Sequence, residues 1–384
     1  KNYIIKKKKI AFVAAIIVFI VFIAACSPIN PPADDKETVT VVDLANRKVD
    51  VPAKVQKVVC IGAGALRLFT YVGDLSMLCG VEDVDKDGTG IGNNLSIRPY
   101  KMKNSGIFNS LPSCGRGGPN STADKEKILS CNPDVIFSMY NTDIELIDEL
   151  YESTRIPVVS LSYGTKEAFD PAVDKSLWLI GKIIGAEERA NAVVSYIASL
   201  KSELKNIASE QENTTKKSVY LGCHSKFGVQ SIGSSSAQYS IFDASGIRNI
   251  LDENGYKGYQ SAIDPEMLLT LNPDIIILDA GGIGAFKNDY VKDSKKYSSL
   301  KAFVDGEVYL QMPYNAYFTN LEIAYADAFF AAAVAYSFDA DTLDYVRKAR
   351  EITAFFLGED CYDSIANAMY GGYQKIDVSA FFAD

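Results

Sequence analysis

Arg67, Arg98 and Arg116 are the residues whose local sequence best suits them to grip an anion. Arg67 closes Gly62-Ala63-Gly64-Ala65-Leu66-Arg67, a glycine-rich turn running into a helix-forming segment. Such a turn either offers backbone N–H groups, that of Gly64 among them, to a negative ligand or is only a tight turn. It is not a P-loop, because no Gly-Lys-Ser/Thr follows. Arg98 lies in Arg98-Pro99-Tyr100 and Arg116 in Gly115-Arg116-Gly117-Gly118-Pro119. A guanidinium fork fits carboxylates, propionates, phosphates and oxyanions; each arginine can equally pair with a local acid. Tyr100 accompanies Arg98, and Tyr140 follows a predicted strand with its ring free to stack. His224 is the single histidine and stands in His224-Ser225-Lys226, ahead of Ser231-Ile232-Gly233-Ser234-Ser235-Ser236. It can bind a metal, hydrogen-bond a ligand or do neither, and Ser234 supplies a hydroxyl nearby. Tyr314, Asn315 and Tyr317, in Pro313-Tyr314-Asn315-Ala316-Tyr317, combine aromatic faces with an amide and suit a flat or chelated ligand.

What is missing narrows the chemistry. One histidine cannot build the multi-imidazole cluster that captures bare Zn²⁺ or Mn²⁺, so no metal ligands are assigned. A chelated metal, a heme-like ring, a corrinoid or an oxyanion is left. No Ser-His-Asp set, metallohydrolase motif or nucleotide fingerprint occurs, so no enzyme and no bound cofactor are expected. A formal net charge of −9 argues against nucleic acid.

These residues fall in loops between alternating strands and helices. Thr38–Val42 and Lys48–Val51 alternate and predict a hairpin. Lys57–Ile61, Met77–Val81, Val135–Phe137 and Ile156–Leu161 read as strands, with helices over Ala65–Val72 and Asp143–Tyr151. The second half repeats the theme with strands at Ser218–Gly222, Ile275–Leu278 and Glu307–Leu310, the last of the series, and helices near Tyr239–Ala244 and over Asn320–Tyr336. Asp174–Glu210 between them is helical, broken at Gly185. Ala192, Tyr196, Leu200 and Leu204 are spaced four apart in its second part. In parallel sheets ligands gather beyond the carboxyl ends of strands, which is where the candidate loops lie.

The N-terminus bears on location. Five lysines within Lys1–Lys9 precede the apolar run Ile10–Ala25, which is sixteen residues long and short of the ~20 a spanning helix needs. Cys26 follows two alanines, and a Pro- and Asp-bearing stretch reads as a tether. A secretory signal with an acylated Cys26 is expected. Six further cysteines form no Cys-x-x-Cys pair, which disfavours a zinc ribbon, and no disulfide pairing is assigned.

The strongest signal is an internal repeat. Glu126-Lys127-Ile128-Leu129-Ser130-Cys131-Asn132-Pro133-Asp134-Val135-Ile136-Phe137 recurs as Glu266-Met267-Leu268-Leu269-Thr270-Leu271-Asn272-Pro273-Asp274-Ile275-Ile276-Ile277, with six of twelve positions identical at an offset of 140 residues. Each copy predicts a helix stopped by Asn-Pro-Asp and a strand buried on both faces. Two copies imply two similar lobes with a ligand cleft between them.

The order of these features resembles the substrate-binding lipoproteins of ABC importers for iron-siderophore, heme and cobalamin. The resemblance covers Thr38 to about Phe356. It implies an α/β fold of two Rossmann-like lobes with parallel sheets, joined by one long rigid helix. The expected layout is a signal peptide at 1–26, a tether at 27–37, an N-terminal lobe at 38–165, an interlobe helical segment at 166–212, a C-terminal lobe at 213–356 and an extension at 357–384. The extension is expected to pack on the second lobe. The resemblance also implies that Glu126 and Glu266 dock on arginines of a permease dimer with its ATPase. The chain would be a monomer held by acylated Cys26 on the outer face of the cytoplasmic membrane, capturing a metal complex. An oxyanion receptor for molybdate or tungstate and a ligand-sensing lipoprotein are the alternatives.

Overall fold

A computed structural model of the chain describes residues 37–89, 97–118, 121–140 and 144–383. Cys26, the signal and the tether as far as residue 36 lie outside them, as does Pro119. Helices of seven residues or more are numbered here.

The chain opens with β1 (Thr38–Val42) and β2 (Lys48–Pro52), antiparallel with Val41 opposite Val49. Asp43 organises the turn by accepting from the N–H groups of Ala45 and Arg47. Arg47 also donates to the Val158 carbonyl at 2.7 Å and so fastens the hairpin to the first lobe.

That lobe is built on β3 (Val58–Ile61), β4 (Val135–Ser138) and β5 (Val158–Ser160), parallel and paired in the order β3-β4-β5. Every residue of the three is buried, as strands covered by helices on both faces require. Their helices are α1 (Ala65–Val72), α2 (Pro99–Ser110), α3 (Lys125–Cys131) and α4 (Ile144–Thr154). The strand expected at Met77–Val81 is reduced to two single bridges, Leu78 with Val58 and Val81 with Ser113. A 3₁₀ turn at Leu75–Met77, capped by Asp74, takes up its first residue.

Two helices then follow. α5 (Pro171–Ile184) is capped by Asp170 and ends at Gly185, which takes φ 73°. α6 (Glu187–Glu210) has 24 residues and so runs about 36 Å at 1.5 Å per residue. It buries Ala190, Val193, Ile197, Leu200 and Leu204, one stripe at helical spacing. Gly181 permits the close α5–α6 approach, because a Cβ there would stand 2.4 Å from that of Ala190.

The second lobe repeats the first. β6 (Val219–Gly222), β9 (Ile275–Asp279) and β10 (Val308–Gln311) are parallel, with β9 central, as β4 is in the first lobe. A small ribbon of β7 (Ser235–Ser236) and β8 (Tyr259–Gln260) lies apart. β10 is not the last strand of the sheet. β11 (Gln374–Lys375), from the C-terminal extension, pairs antiparallel along its outer edge. The helices are α7 (Pro265–Leu271), α8 (Ile283–Lys292), α9 (Leu321–Tyr336), α10 (Tyr345–Leu357) and α11 (Tyr362–Ala368). α9 is Ala-rich and buried on nearly every side.

The Asn-Pro-Asp repeat has the same local physics twice. Asp124 caps α3 by accepting from the Lys127 N–H, and Asp264 caps α7 through that of Met267. Asn132 and Asn272 close the helices in the left-handed region, at φ 51° and 45°, where asparagine is tolerated. Proline then forbids continuation. Asp134 accepts from the N–H groups of Gln56 and Lys57, and Asp274 from that of Ser218, so each aspartate fixes the entry of the neighbouring first strand. One apolar core runs through both lobes and the helices between them. A smaller one lies on the other face of the first sheet, under α3 and α4.

Candidate functional site

The loops that leave β3, β5, β6, β9 and β10 converge on one cleft of about 760 Å³. The first lobe contributes Ala63 and the stretch around Tyr163–Glu167. The second contributes Ser225–Val229, Gly281 and much of Pro313–Thr319. The site therefore lies where parallel sheets place ligands, outside the carboxyl ends of strands from both lobes.

Its walls are mostly apolar. The rings of Tyr163 and Phe318 stack across the lobes, 5.1 Å apart and 4° from parallel. Phe227 is 70% exposed and Val229 36%, a large apolar surface left facing the cleft. Tyr317 completes this side. Gly64 lies behind the stack at φ 87°, and a Cβ there would come within 2.8 Å of the Tyr163 ring. Only glycine meets both demands.

The charged lining residues are one ion pair. Lys226 Nζ, after β6, lies 2.9 Å from Glu167 Oε1, after β5. Ser240 donates to the other Glu167 oxygen at 2.9 Å. Burial alone would raise the Glu167 pKa. Lys226 and the Tyr314 hydroxyl outweigh it, so the carboxyl is held below its ordinary value and the pair is charged near neutrality.

The sequence-predicted residues divide into three groups. Asn315 and Tyr317 line the cleft. Asn315 Nδ2 also donates to the Lys226 carbonyl at 2.8 Å and ties two of the cleft loops together. His224, Ser234 and Tyr314 form a buried polar layer under the Lys226 loop. His224 Nδ1 is 3.0 Å from Ser236 Oγ and Nε2 is 3.3 Å from the Tyr314 hydroxyl, while Ser234 donates to the His224 carbonyl at 2.7 Å. Burial pushes the imidazole down to about 4, so it is neutral at physiological pH.

The arginines stand elsewhere. Arg67 is fully buried between the lobes, donating to the carbonyls of Ala316 and Tyr317 and lying 4.9 Å over the Tyr100 ring. Arg98 donates to the Val84 carbonyl at 2.7 Å and to Asp85 at 3.1 Å, and the Tyr100 hydroxyl donates to the same carboxylate. Arg116 is exposed on a loop outside the cleft. Tyr140 is half-buried with an unpartnered hydroxyl and does not line the cleft either. Glu126 and Glu266 are exposed in the first turns of α3 and α7.

Sequence reasoning passed over Tyr163, Glu167, Lys226, Phe227 and Phe318. The strand-end rule would have found Tyr163 and Glu167 had it been applied to the loop after β5. Phe227 and Phe318 are large apolar residues inside polar loops, a signal present in the sequence. Among the described residues no group of three or more histidine, cysteine or acidic side chains is placed to hold a metal ion. No described helix is long and apolar enough to cross a membrane.

A family model described as periplasmic binding protein matches residues 70–313. The chain is 22% identical over 317 residues to the uncharacterized ABC transporter substrate-binding lipoprotein YvrC of Bacillus subtilis, across 79% of this chain and 90% of that protein. The crystal structure of a periplasmic solute binding protein from Veillonella parvula superposes with a TM-score of 0.66 at 17% identity, covering 87% of this chain and 97% of its own. The molybdate-bound periplasmic binding protein MolA of Haemophilus influenzae does so with a TM-score of 0.62 at 14% identity, covering 84% and 98%. At these identities the structural likenesses establish the fold.

Proposed function

Since the chain belongs to the periplasmic binding protein family, we propose that it is the extracytoplasmic solute-binding lipoprotein of an ABC importer, with a metal complex of broad apolar face as cargo. A siderophore chelate, heme or a corrinoid answers that description. The observation that carries this reading is the cleft itself. Loops from both lobes enclose a volume suited to such a ligand, and Phe227, Tyr317 and Phe318, the last backed by buried Tyr163, offer ring faces for it. Its cation, Lys226, is already paired with Glu167. A small, highly charged oxyanion would have to break that pair, whereas a large ligand can rest on the rings and meet the pair at one edge.

The role is capture and release without turnover. The imidazole nearest the cleft is neutral and bonded to protein groups, which suits a wall better than a proton carrier. Delivery would use Glu126 and Glu266, which the repeat sets at matching exposed positions on the two lobes. Two acids at fixed separation orient encounter with a basic permease surface even where each ion pair is weak. Acylated Cys26 would hold the chain at the outer face of the membrane.

The oxyanion reading is kept as the second one because MolA, with the same fold, binds molybdate. A thermal-shift panel of ferric siderophores, heme, cobalamin, molybdate, tungstate and free divalent metals separates the two. A ligand at 100 times its dissociation constant stabilises by about 2.7 kcal/mol. A shift with one chelate or macrocycle, lost in Phe227→Ala, supports the proposal. A shift with molybdate or tungstate alone, unaffected by Phe227→Ala, overturns the cargo and keeps the receptor.

A further inference from the structure

We propose that Cys114 and Cys131 form a disulfide that clamps α3 to the edge of the first lobe. Both are free thiols in the structure, and Cys131 Sγ and the two Cβ atoms converge over a residue with no side chain. A Cβ built on Gly80 would lie 2.5 Å from Cys131 Sγ, 3.1 Å from Cys114 Cβ and 3.3 Å from Cys131 Cβ. The two cysteine Cβ atoms are therefore within about 6.4 Å of each other, and the space between them is open because position 80 is glycine. A disulfide needs Cβ atoms roughly 3.5–4.5 Å apart, which lies inside that limit; side-chain rotation brings the sulfurs together and a small backbone shift sets the Cβ spacing.

Backbone bonds hold this arrangement. The Cys114 N–H donates to the Val81 carbonyl at 3.1 Å and the Val81 N–H to that of Pro112 at 3.0 Å, so Cys114 is fixed beside Gly80. Cys131, the last residue of α3, has its sulfur 4.0 Å from the Ser113 carbonyl. Both belong to the small core under α3 and α4. The other cysteines do not fit as well. Cys60 belongs to the main core on the other face of the sheet, and Cys223 and Cys361 lie in the second lobe and its extension; Cys79 packs against the same small core and is the rival partner, but its Sγ donates to the Val58 carbonyl at 3.4 Å.

The chemistry balances as a two-electron exchange. A disulfide oxidant outside the cytoplasm is attacked by one thiolate, and the other thiolate resolves the mixed disulfide. Both thiols lose their protons, an S–S bond forms, and the oxidant leaves as two thiols. Cys131 is 7% exposed against 0% for Cys114, so Cys131 meets the oxidant first. The bond closes the loop from 114 to 131, which carries Glu126, and would steady the proposed docking helix. It rests on the extracytoplasmic reading only for its oxidant.

The test treats the full chain, purified reduced, with oxidised glutathione, alkylates without reduction and maps the peptides. The expected product is a 114–131 crosslink and a higher melting temperature, both reversed by dithiothreitol, with Cys60 and Cys223 still alkylated once unfolded. Cys131→Ser should abolish the crosslink and leave the Cys114 thiol free. Glutathione mixed disulfides on Cys79 or Cys361 with no 114–131 link, or a link from Cys131 to Cys79, would overturn the pairing. A link formed in the tube but absent from protein isolated from cells with thiols blocked would uphold the pairing and count against the extracytoplasmic reading.

Discussion

Replacing His224 by glutamine tests whether the single imidazole is a sealed wall group or a ligand-facing one. The ring is 1% exposed and sits between Ser236 and Tyr314. Burial lowers its pKa from 6.5 to about 4. The unfolded chain keeps the higher value, so below pH 6.5 it takes up a proton that the folded chain refuses. The folded value being the depressed one, stability tied to this group is complete above pH 6.5 and drains away as pH falls toward 4. The gap of 2.5 units, at 1.36 kcal/mol per unit, is about 3 kcal/mol. Buried acids work the other way. Burial pushes Asp279 up to about 6 and Glu82 up to about 8, and both favour the folded state as they protonate. The wild-type profile alone mixes these effects, and the difference between wild type and His224→Gln isolates the ring. Glutamine can donate to one neighbour and accept from the other without titrating. Urea unfolding of both proteins at pH 7.5 and pH 4 should show the wild-type advantage shrinking by about 3 kcal/mol. A constant difference, or an imidazole NMR titration near 6.5, would refute the sealed position and return the ring to the cleft.

Gly64→Ala should destabilise by roughly 1–3 kcal/mol, since it forces a Cβ into a left-handed conformation and against the Tyr163 ring; urea midpoints check it. Tyr373→Phe removes the hydroxyl that donates to buried Asp327 at 2.7 Å and should cost about 1–3 kcal/mol, read the same way. Its size would show how firmly the extension is joined to α9, and a change under about 0.5 kcal/mol would mean that the bond contributes little. Glu126→Ala with Glu266→Ala should leave ligand-induced thermal shifts unchanged and reduce ligand uptake in cells; equal loss of binding and uptake would contradict the docking role.

The alternation of β1 and β2, the apolar runs of β4 and β9, the Gly185 break and the Asn-Pro-Asp stops were legible because each is a local signal with a local cause. The two lobes followed from the repeat. The C-terminal extension was not legible as part of a sheet. β11 is two residues long and is defined by its partner β10, a contact far away in sequence. The stretch from Met77 to Val81 failed in the opposite sense. It has a strand's composition, yet its neighbours leave it only two bridges. At the cleft, Asn315 and Tyr317 stand out by residue type and line the wall, while Tyr314 from the same loop is buried beneath it. The Glu167–Lys226 pair was missed because its members are 59 positions apart and neither looks unusual among 48 acidic and 39 basic residues.

The arginines show why residue type alone misplaces a site. An arginine in a glycine-rich loop suits an anion, but the same fork also satisfies carbonyls that a tight loop leaves without partners. The loop from Pro313 to Asn320 is such a case, with Tyr317 and Phe318 both at positive φ. Arg67, from the first lobe, takes the carbonyls of Ala316 and Tyr317, and Arg98 lies 5.2 Å over the Tyr317 ring. Asn320 Nδ2 reaches the Ile97 carbonyl, and the Tyr71 hydroxyl donates to Glu322. The wall that the second lobe presents to the cleft is thus held from behind by the first. Drawing the lobes apart would strand a buried guanidinium and a buried carboxylate, each costly to leave unpaired. The shared core through α6 and α9 opposes the same movement. Two arginines that read as ligand groups instead keep the cleft preformed, and a preformed cleft loses less free energy to ordering when its ligand arrives.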